Sequence, residues 1–267
     1  SFDLDNINAF SNRNMIINGD MAVAQRGTSV SIVHDGTSNG YAPDRFYVAE
    51  VQCDELEGTL EQVAVTDLAG FSNALKWTTT EPESAIASNE ILDICQKIEG
   101  QNCQRLAYGS SSAKKATLSF WVKSSVTGTY AVNFYKDDSA GSLTTKNFTS
   151  TYAISSADTW EKKTMTVPAD TASSGGITDD NGEGLRISWQ LAVGSDFTSQ
   201  DTSSAWTDYT NAGWAYGHAQ NGVVTTDNAT WFLTGVQFEI GDVATPFEYE
   251  SYGDNLRRCQ RYWQQSY

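Results

Sequence analysis

Over most of its length the chain alternates apolar and polar positions with a period of two, the pattern of short strands that bury one face. Residues 117–123, TLSFWVK, show it most cleanly: Leu118, Phe120 and Val122 fall on one side, Ser119, Trp121 and Lys123 on the other. Residues 130–135 alternate in the same way after a Thr127-Gly128 turn, so the two runs predict an antiparallel hairpin. Residues 185–193 set Leu185, Ile187, Trp189, Leu191 and Val193 against Arg186, Ser188, Gln190 and Ala192. Further strands are predicted at 15–23 (broken by an Asn18-Gly19-Asp20 turn), 44–51, 74–80, 160–167 and 231–240. Residues 91–98 fit a strand or one helical turn, because a short apolar run does not distinguish them. Residues 194–229 have no period and carry Trp206, Tyr209, Trp214 and Tyr216.

Many short strands without helices between them predict an all-β, two-layer sandwich of two antiparallel sheets, and a jelly roll if distant strands pair. The expected division is a lead-in over 1–13, the sandwich over 14–250 and a connector over 251–267. Gly241 and Pro246 turn the chain out of the last strand. Leu256, Cys259, Tyr262 and Trp263 then make a short helical or extended amphipathic segment, expected to dock on a neighbour or on further chain.

Composition adds that the core is aromatic: 8 Trp, 12 Tyr and 11 Phe in 267 residues. The net charge of −16 argues against nucleic acid or an anionic membrane as a direct partner, since phosphate contacts need Lys and Arg. No run approaches the roughly 20 apolar residues of a membrane span, so no membrane insertion is expected. The four cysteines include no C-x-x-C pair and there are two histidines, which disfavours structural zinc. Free buried thiols are expected, with a Cys95–Cys103 bridge across a hairpin as the alternative.

Nucleophile-elbow, zinc-protease, phosphate-loop and dinucleotide motifs are absent, and no carboxylate pair stands out among 33 acidic residues. The expectation is a protein that binds rather than catalyses. The strand faces turned away from the core would present Trp121, Lys123, Asn133, Tyr135, Arg186, Gln190 and Gln237, with Glu239 beside them. An aromatic plane among amide, guanidinium and carboxylate groups suits a sugar, whose apolar face stacks while its hydroxyls are hydrogen-bonded. The same face could equally lie under a loop or a neighbouring subunit. Trp206, Tyr209, Trp214 and Tyr216 form either a binding edge or an interface. No cofactor is required. A structural Ca²⁺ has two candidate sites: the turn carrying Asp179, Asp180, Asn181 and Glu183, and the pair Asp20 and Glu239, where first and last strands could meet.

Several longer motifs carry a resemblance. Residues 12–28, NRNMIINGDMAVAQRGT, followed by Tyr41-Ala42-Pro43-Asp44-Arg45-Phe46, resemble the opening of a domain common in tail-fibre and other virion structural proteins of bacteriophages, marine phages especially. Residues 98–130, residues 159–163 and the C-terminal run are similar to its middle and end. Phe238 and Ile240 stand where that family more often has Leu and Val, and relatives commonly continue past the Cys-Gln-Arg-Tyr segment. The resemblance implies a virion location, other virion proteins as partners, a homotrimer, and attachment to host surface polysaccharide without catalysis. An architectural role, in capsid decoration or at a fibre joint, is the alternative, and a glycan depolymerase a third. Residues 16–21, IINGDM, also resemble the opening of carbohydrate-binding modules of bacterial glycanases, which are calcium-containing jelly rolls.

Overall fold

A computed structural model describes residues 12–33, 39–137, 143–219 and 222–264. Its strands form two antiparallel sheets. The first has six strands in the order β1 (Ser29–Ile32), β4 (Glu57–Ala64), β5 (Asn73–Glu81), β13 (Thr230–Ile240), β7 (Ala116–Ser124), β10 (Glu161–Val167). The second has seven, in the order β12 (Thr207–Asp208), β9 (Lys146–Ile154), β8 (Gly128–Lys136), β11 (Glu183–Val193), β6 (Ile91–Glu99), β3 (Tyr47–Val51), β2 (Asn39–Tyr41).

The pairings nest. β8 pairs with β9, β7 with β10, β6 with β11 and β5 with β13, and successive pairs alternate between the sheets. That is one long hairpin rolled around a core, a jelly roll. The core it encloses is aromatic as expected: Trp77, Trp189, Trp231, Phe46, Phe120, Phe134 and Phe238 are all buried. Phe120 meets Trp189 edge to face, with ring centroids 5.7 Å apart.

The strand expected at 15–23 is absent, its residues lying in bends, a turn and irregular chain. Two further expectations change and one open reading is settled. β7 and β8 are not a hairpin, because they lie in different sheets and the Thr127-Gly128 turn carries the chain across the sandwich edge. Alternation says which face is buried. It does not distinguish a neighbour within a sheet from a strand facing it across the core. β6 is a strand, with all its residues but Lys97 buried, which is why its sequence shows no clean period. In β11 the register shifts between Gln190 and Ala192, so Leu191 and Ala192 both enter the core. Val193 turns outward to pack with Ile91, Ala131 and Trp214. All four cysteines are free and buried.

Residues 14–19 run beside β13 past the irregularity in its pairing with β7: Met15 N–H donates to Phe238 O, and Val236 N–H to Gly19 O, each at 2.9 Å. A Cβ on Gly19 would come within 2.1 Å of Val236 O, so this approach requires glycine. Asn18, at φ +62°, is the hub of the region. Its Nδ2 donates to Val23 O and Asp44 O, and its Oδ1 accepts from Val23 N–H, all at 2.9 Å. Its own N–H donates to Asn255 Oδ1 at 3.1 Å.

Asn255 belongs to α2 (Tyr252–Gln260); a single turn, α1 (Gly100–Cys103), follows β6. Ser251 caps α2 by accepting from Asp254 N–H. The apolar side of α2 is covered by its own chain, not left for a neighbour: Cys259 is buried with Ile17 and Val23, and Leu256 and Tyr262 pack against them.

Asn18→Ala would strip partners from three buried backbone groups and leave a non-glycine residue without a local side-chain bond at positive φ. At about 1–3 kcal/mol per unpaired buried group, a loss of roughly 3–9 kcal/mol is expected. Urea denaturation measures it, and a loss below about 1 kcal/mol would show that the hub is not structural.

Candidate functional site

The side chains read from sequence as one polar surface lie on opposite outer faces of the sandwich. Trp121, Lys123, Gln237 and Glu239 belong to the six-stranded sheet, Asn133, Tyr135, Arg186 and Gln190 to the seven-stranded one. Gln237 and Glu239 are buried because residues 245–248 fold back over β13. Glu239 accepts from Gln237 Nε2, Thr245 N–H and Thr245 Oγ1, and Gln237 Oε1 accepts from Glu248 N–H. Trp121 is half-buried beside Gly235, whose Cβ, if present, would lie 3.0 Å from its ring and 2.7 Å from Phe71. Lys123 is drawn to Asp67 at 2.7 Å and sits between the rings of Trp160 and Phe232.

The seven-stranded sheet gathers a different set. Its register places Tyr41 opposite Tyr47, Lys97 opposite Arg186, and Arg186 opposite Tyr135. The Tyr41 and Tyr47 rings are 5.2 Å apart, Lys97 Nζ is 5.6 Å from the Tyr47 ring, and Arg186 lies 5.3 Å from the Tyr135 ring. Tyr209 meets Tyr135 edge to face at 5.3 Å. These six side chains form a strip from β2 to β8. At strand spacings near 4.8 Å, four intervals make it about 19 Å long.

Glu183 fixes the middle of the strip. It accepts from Arg186 through two parallel bonds, at 2.7 and 3.0 Å, and pairs with Lys97 at 2.8 Å. Burial opposes the charge on both Arg186 and Glu183. Their mutual contact outweighs it, so the guanidinium is held above, and the carboxyl below, its ordinary pKa. Burial raises the Tyr47 phenol, and burial together with Asp137 pushes Tyr135 up to about 12, so both rings are neutral hydroxyl donors.

Beside the strip, along the same outer face, lies a buried polar cluster. Asn133 and Gln190, expected at the surface, are buried there with Asp93 and Ser188. Asn133 is covered by the 194–219 segment, donating to Trp214 O at 2.7 Å. Asp93 Oδ1, Ser188 Oγ, Gln190 Oε1, Asn133 Oδ1 and the Trp214 indole N–H have no hydrogen-bond partner among protein groups. Burial pushes the Asp93 carboxyl up to about 6, against the pull of Arg186.

The four aromatics of the 194–219 segment do separate jobs. Trp206 plugs an end of the core: its indole donates to Pro168 O at 2.8 Å and its ring lies 4.5 Å from the buried Lys136, itself paired with Asp170. Trp214 packs over Ala131, Ile91 and Val193 on the outer face. Tyr209, 36% exposed, extends the strip. Tyr216 is half-buried beside Asp201.

Sequence reading passed over Tyr41, Tyr47 and Lys97. The signal was present for Tyr47: Phe46 and Val48 alternate into the core, which turns Tyr47 outward. His218 is structural, its Nδ1 accepting from Ala131 N–H, and burial lowers it to about 4, so it stays neutral; His34 lies outside the described residues.

Neither set of calcium candidates converges. Glu183 is taken by Arg186 and Lys97, and Asp180 Oδ1 accepts from Gly182 N–H, while Asp179 and Asn181 are exposed. Asp20 Oδ1 accepts from Asn255 and Ala22, whereas Glu239 turns to Thr245. Among the described residues, Cys53, Glu83 and Glu90 are the trio whose potential ligand atoms lie within 4.8 Å of one another. Two of its carboxylates pin loops: Glu83 Oε1 accepts from Glu55 and Leu56 N–H, and Glu90 Oε2 from Ala87 N–H.

No family model and no curated protein matches the chain. Solved structures similar to it include the family 11 carbohydrate-binding module of a cellulosomal cellulase from Clostridium thermocellum (11% identity, TM-score 0.39, covering 86% of this chain and 96% of that one). Another is the xylan-binding domain CBM22-2 from Paenibacillus barcinonensis (17%, 0.35, 69% and 88%). A third is the enzymatically active domain of tailspike protein 4 of bacteriophage CBA120 (11%, 0.40, 85% and 21%). At this level of likeness they assign neither a site nor a ligand to this chain.

Because the fold raises the Asp93 pKa from 3.8 to about 6, the folded state holds this proton more tightly than the unfolded one. The associated stability is fully present below about pH 4 and is lost as the pH rises through 6, a fall of about 3 kcal/mol. Asp93→Asn should remove that part of the pH dependence and exceed the parent in stability at pH 7. Denaturation curves of both proteins at pH 4.5 and 7 check this, and identical pH slopes would refute it.

Proposed function

We propose that this chain is a non-catalytic carbohydrate-binding domain that holds a glycan across the outer face of its seven-stranded sheet. The observation that carries this reading is the strip of Tyr41, Tyr47, Tyr135 and Tyr209 with Lys97 and Arg186 set among them. Neutral phenol rings offer apolar planes for the C–H faces of pyranoses. Lys97 and Arg186 donate to ring and hydroxyl oxygens, and Glu183 keeps them in place while accepting. A row about 19 Å long suits a chain of several sugar units, not a monosaccharide.

The resemblance of the opening and closing motifs to phage fibre domains supports a finer reading: attachment to host surface polysaccharide from a virion, beside other virion proteins and as a homotrimer. Labelling the protein on intact particles tests that location. Under the architectural alternative the strip would be covered by a neighbouring subunit.

On a panel of polysaccharides and oligosaccharides, the intact protein should bind at least one class. Tyr41→Ala and Tyr47→Ala should each weaken that binding about five- to tenfold, the effect of losing one stacking ring. Trp121→Ala, on the opposite sheet, should leave it unchanged. Binding to no glycan, or a loss with Trp121→Ala but not Tyr47→Ala, would overturn the proposal, with melting temperatures confirming that each variant is folded.

A further inference from the structure

The net charge of −16 hides a local inversion. Beside Lys97, midway along the strip, a cleft of about 600 Å³ opens between the end of β6, the 12–17 segment and α2. It is lined by Lys97 and by four of the chain's eight arginines, Arg45, Arg105, Arg258 and Arg261, against a single carboxylate, Glu99. Three of these cations are matched to acids. Arg261 makes a forked contact with Glu99, Arg258 pairs with Glu250, and Lys97 with Glu183.

Arg45 and Arg105 are not. Among the described residues neither forms an ion pair. Arg45 donates to the backbone carbonyl of Lys97, and Arg105 to those of Asn12 and Arg13. The Nε–H of Arg45 is buried and has no partner at all. Its guanidinium lies over the Tyr262 ring at 3.4 Å, which orders it without neutralising it. Burial lowers the pKa of both groups, against the weaker pull of Glu99 on Arg45 and of Glu248 and Glu239 on Arg105. Two ordered guanidiniums with no carboxylate in direct contact among the described residues, on one concave surface, are suited to an anion with planar or tetrahedral oxygens.

We propose that the Arg45–Arg105 cleft is an anion-binding subsite continuous with the tyrosine strip, so that the ligand is an acidic polysaccharide whose carboxylate or sulfate groups seat on these arginines. The proposal rests on the glycan-binding reading and names its ligand class. Lys97 belongs to both strip and cleft, which makes one continuous surface for one chain. The rest of the molecule repels a densely charged polyanion such as nucleic acid. A glycan that is neutral along the strip and charged at intervals avoids that repulsion beyond the ~8 Å screening length.

The test is titration calorimetry on the full chain with hexagalacturonate, its methyl-esterified counterpart, sulfated galactan oligosaccharides and a neutral galactan oligosaccharide of equal length. At least one of the two acidic probes should bind tenfold or more tightly than its neutral match, and the pair that shows this identifies carboxylate or sulfate as the anion. Arg105→Gln should remove about tenfold of that affinity and flatten its salt dependence, while leaving neutral binding within twofold. Arg105→Lys, which keeps the charge, should recover most of it. Arg105 is solvent-exposed, and a melting curve matching the parent confirms that the variant is folded. Equal affinity for acidic and neutral probes, or no effect of Arg105→Gln, would overturn the anion site. If Tyr47→Ala still weakened binding in that case, the glycan-binding face itself would stand. Binding of none of the probes, with none on the wider panel, would remove both.

Discussion

The hydrogen bonds of Asn18 are the constraint on which the cleft end of this domain depends. One buried amide joins three parts of the chain that share no strand: the turn after residues 14–17, the Pro43–Arg45 turn before β3, and α2. The Asp44 carbonyl it holds is one peptide away from Arg45, and Asp44 is also tied through its carboxylate to Gln25. Arg45 itself is at φ +75°, a conformation that a loop keeps only when its flanks are pinned. The geometry of the cationic cleft is therefore set by a residue that does not line it.

The rolled topology explains why the two outer faces have different fates. β13 and β7 are interior to their sheet, and the chain leaving β13 must return across that face to reach α2. Thr245 and Glu248 then cover Gln237 and Glu239 on the way. On the other sheet, the 194–219 segment, which contains β12, covers β8 and the Ile91–Val193 end and reaches Tyr135 through Tyr209 and Trp214, leaving Tyr41, Tyr47, Lys97 and Arg186 partly exposed beyond it. Connections, more than strands, decide which polar side chains meet solvent.

Much of the framework was legible in the alternation of residues 117–123, 130–135 and 231–240, each of which forms a strand with the expected side inward. Partners were not, since β7 and β8 show the same pattern whether they pair or face each other. β4 and β9 escaped notice because Thr, Gln, Asn and Lys fill their alternate positions and interrupt any apolar run. Of the proposed binding face, Tyr135 and Arg186 were read as outward from sequence, because they alternate against residues plainly in the core. Tyr41 and Lys97 were missed, being brought to Tyr47 and Arg186 by pairings between segments far apart in sequence. The cleft was hidden by the overall charge: a sum over the chain cannot show that four arginines 45, 105, 258 and 261 converge on one concavity.

The clamp that Glu183 places on Arg186 and Lys97 has a consequence for the thermodynamics of recognition. Long cationic side chains usually lose rotamer freedom when a ligand arrives, and that loss weakens binding. Here β11 and β6 have already immobilised both, between a shared carboxylate and the rings of Tyr135 and Tyr47. On the proposed glycan-binding reading, the ordering that accompanies association would fall on the sugar chain, whose glycosidic torsions are stilled, and little of it on these two side chains.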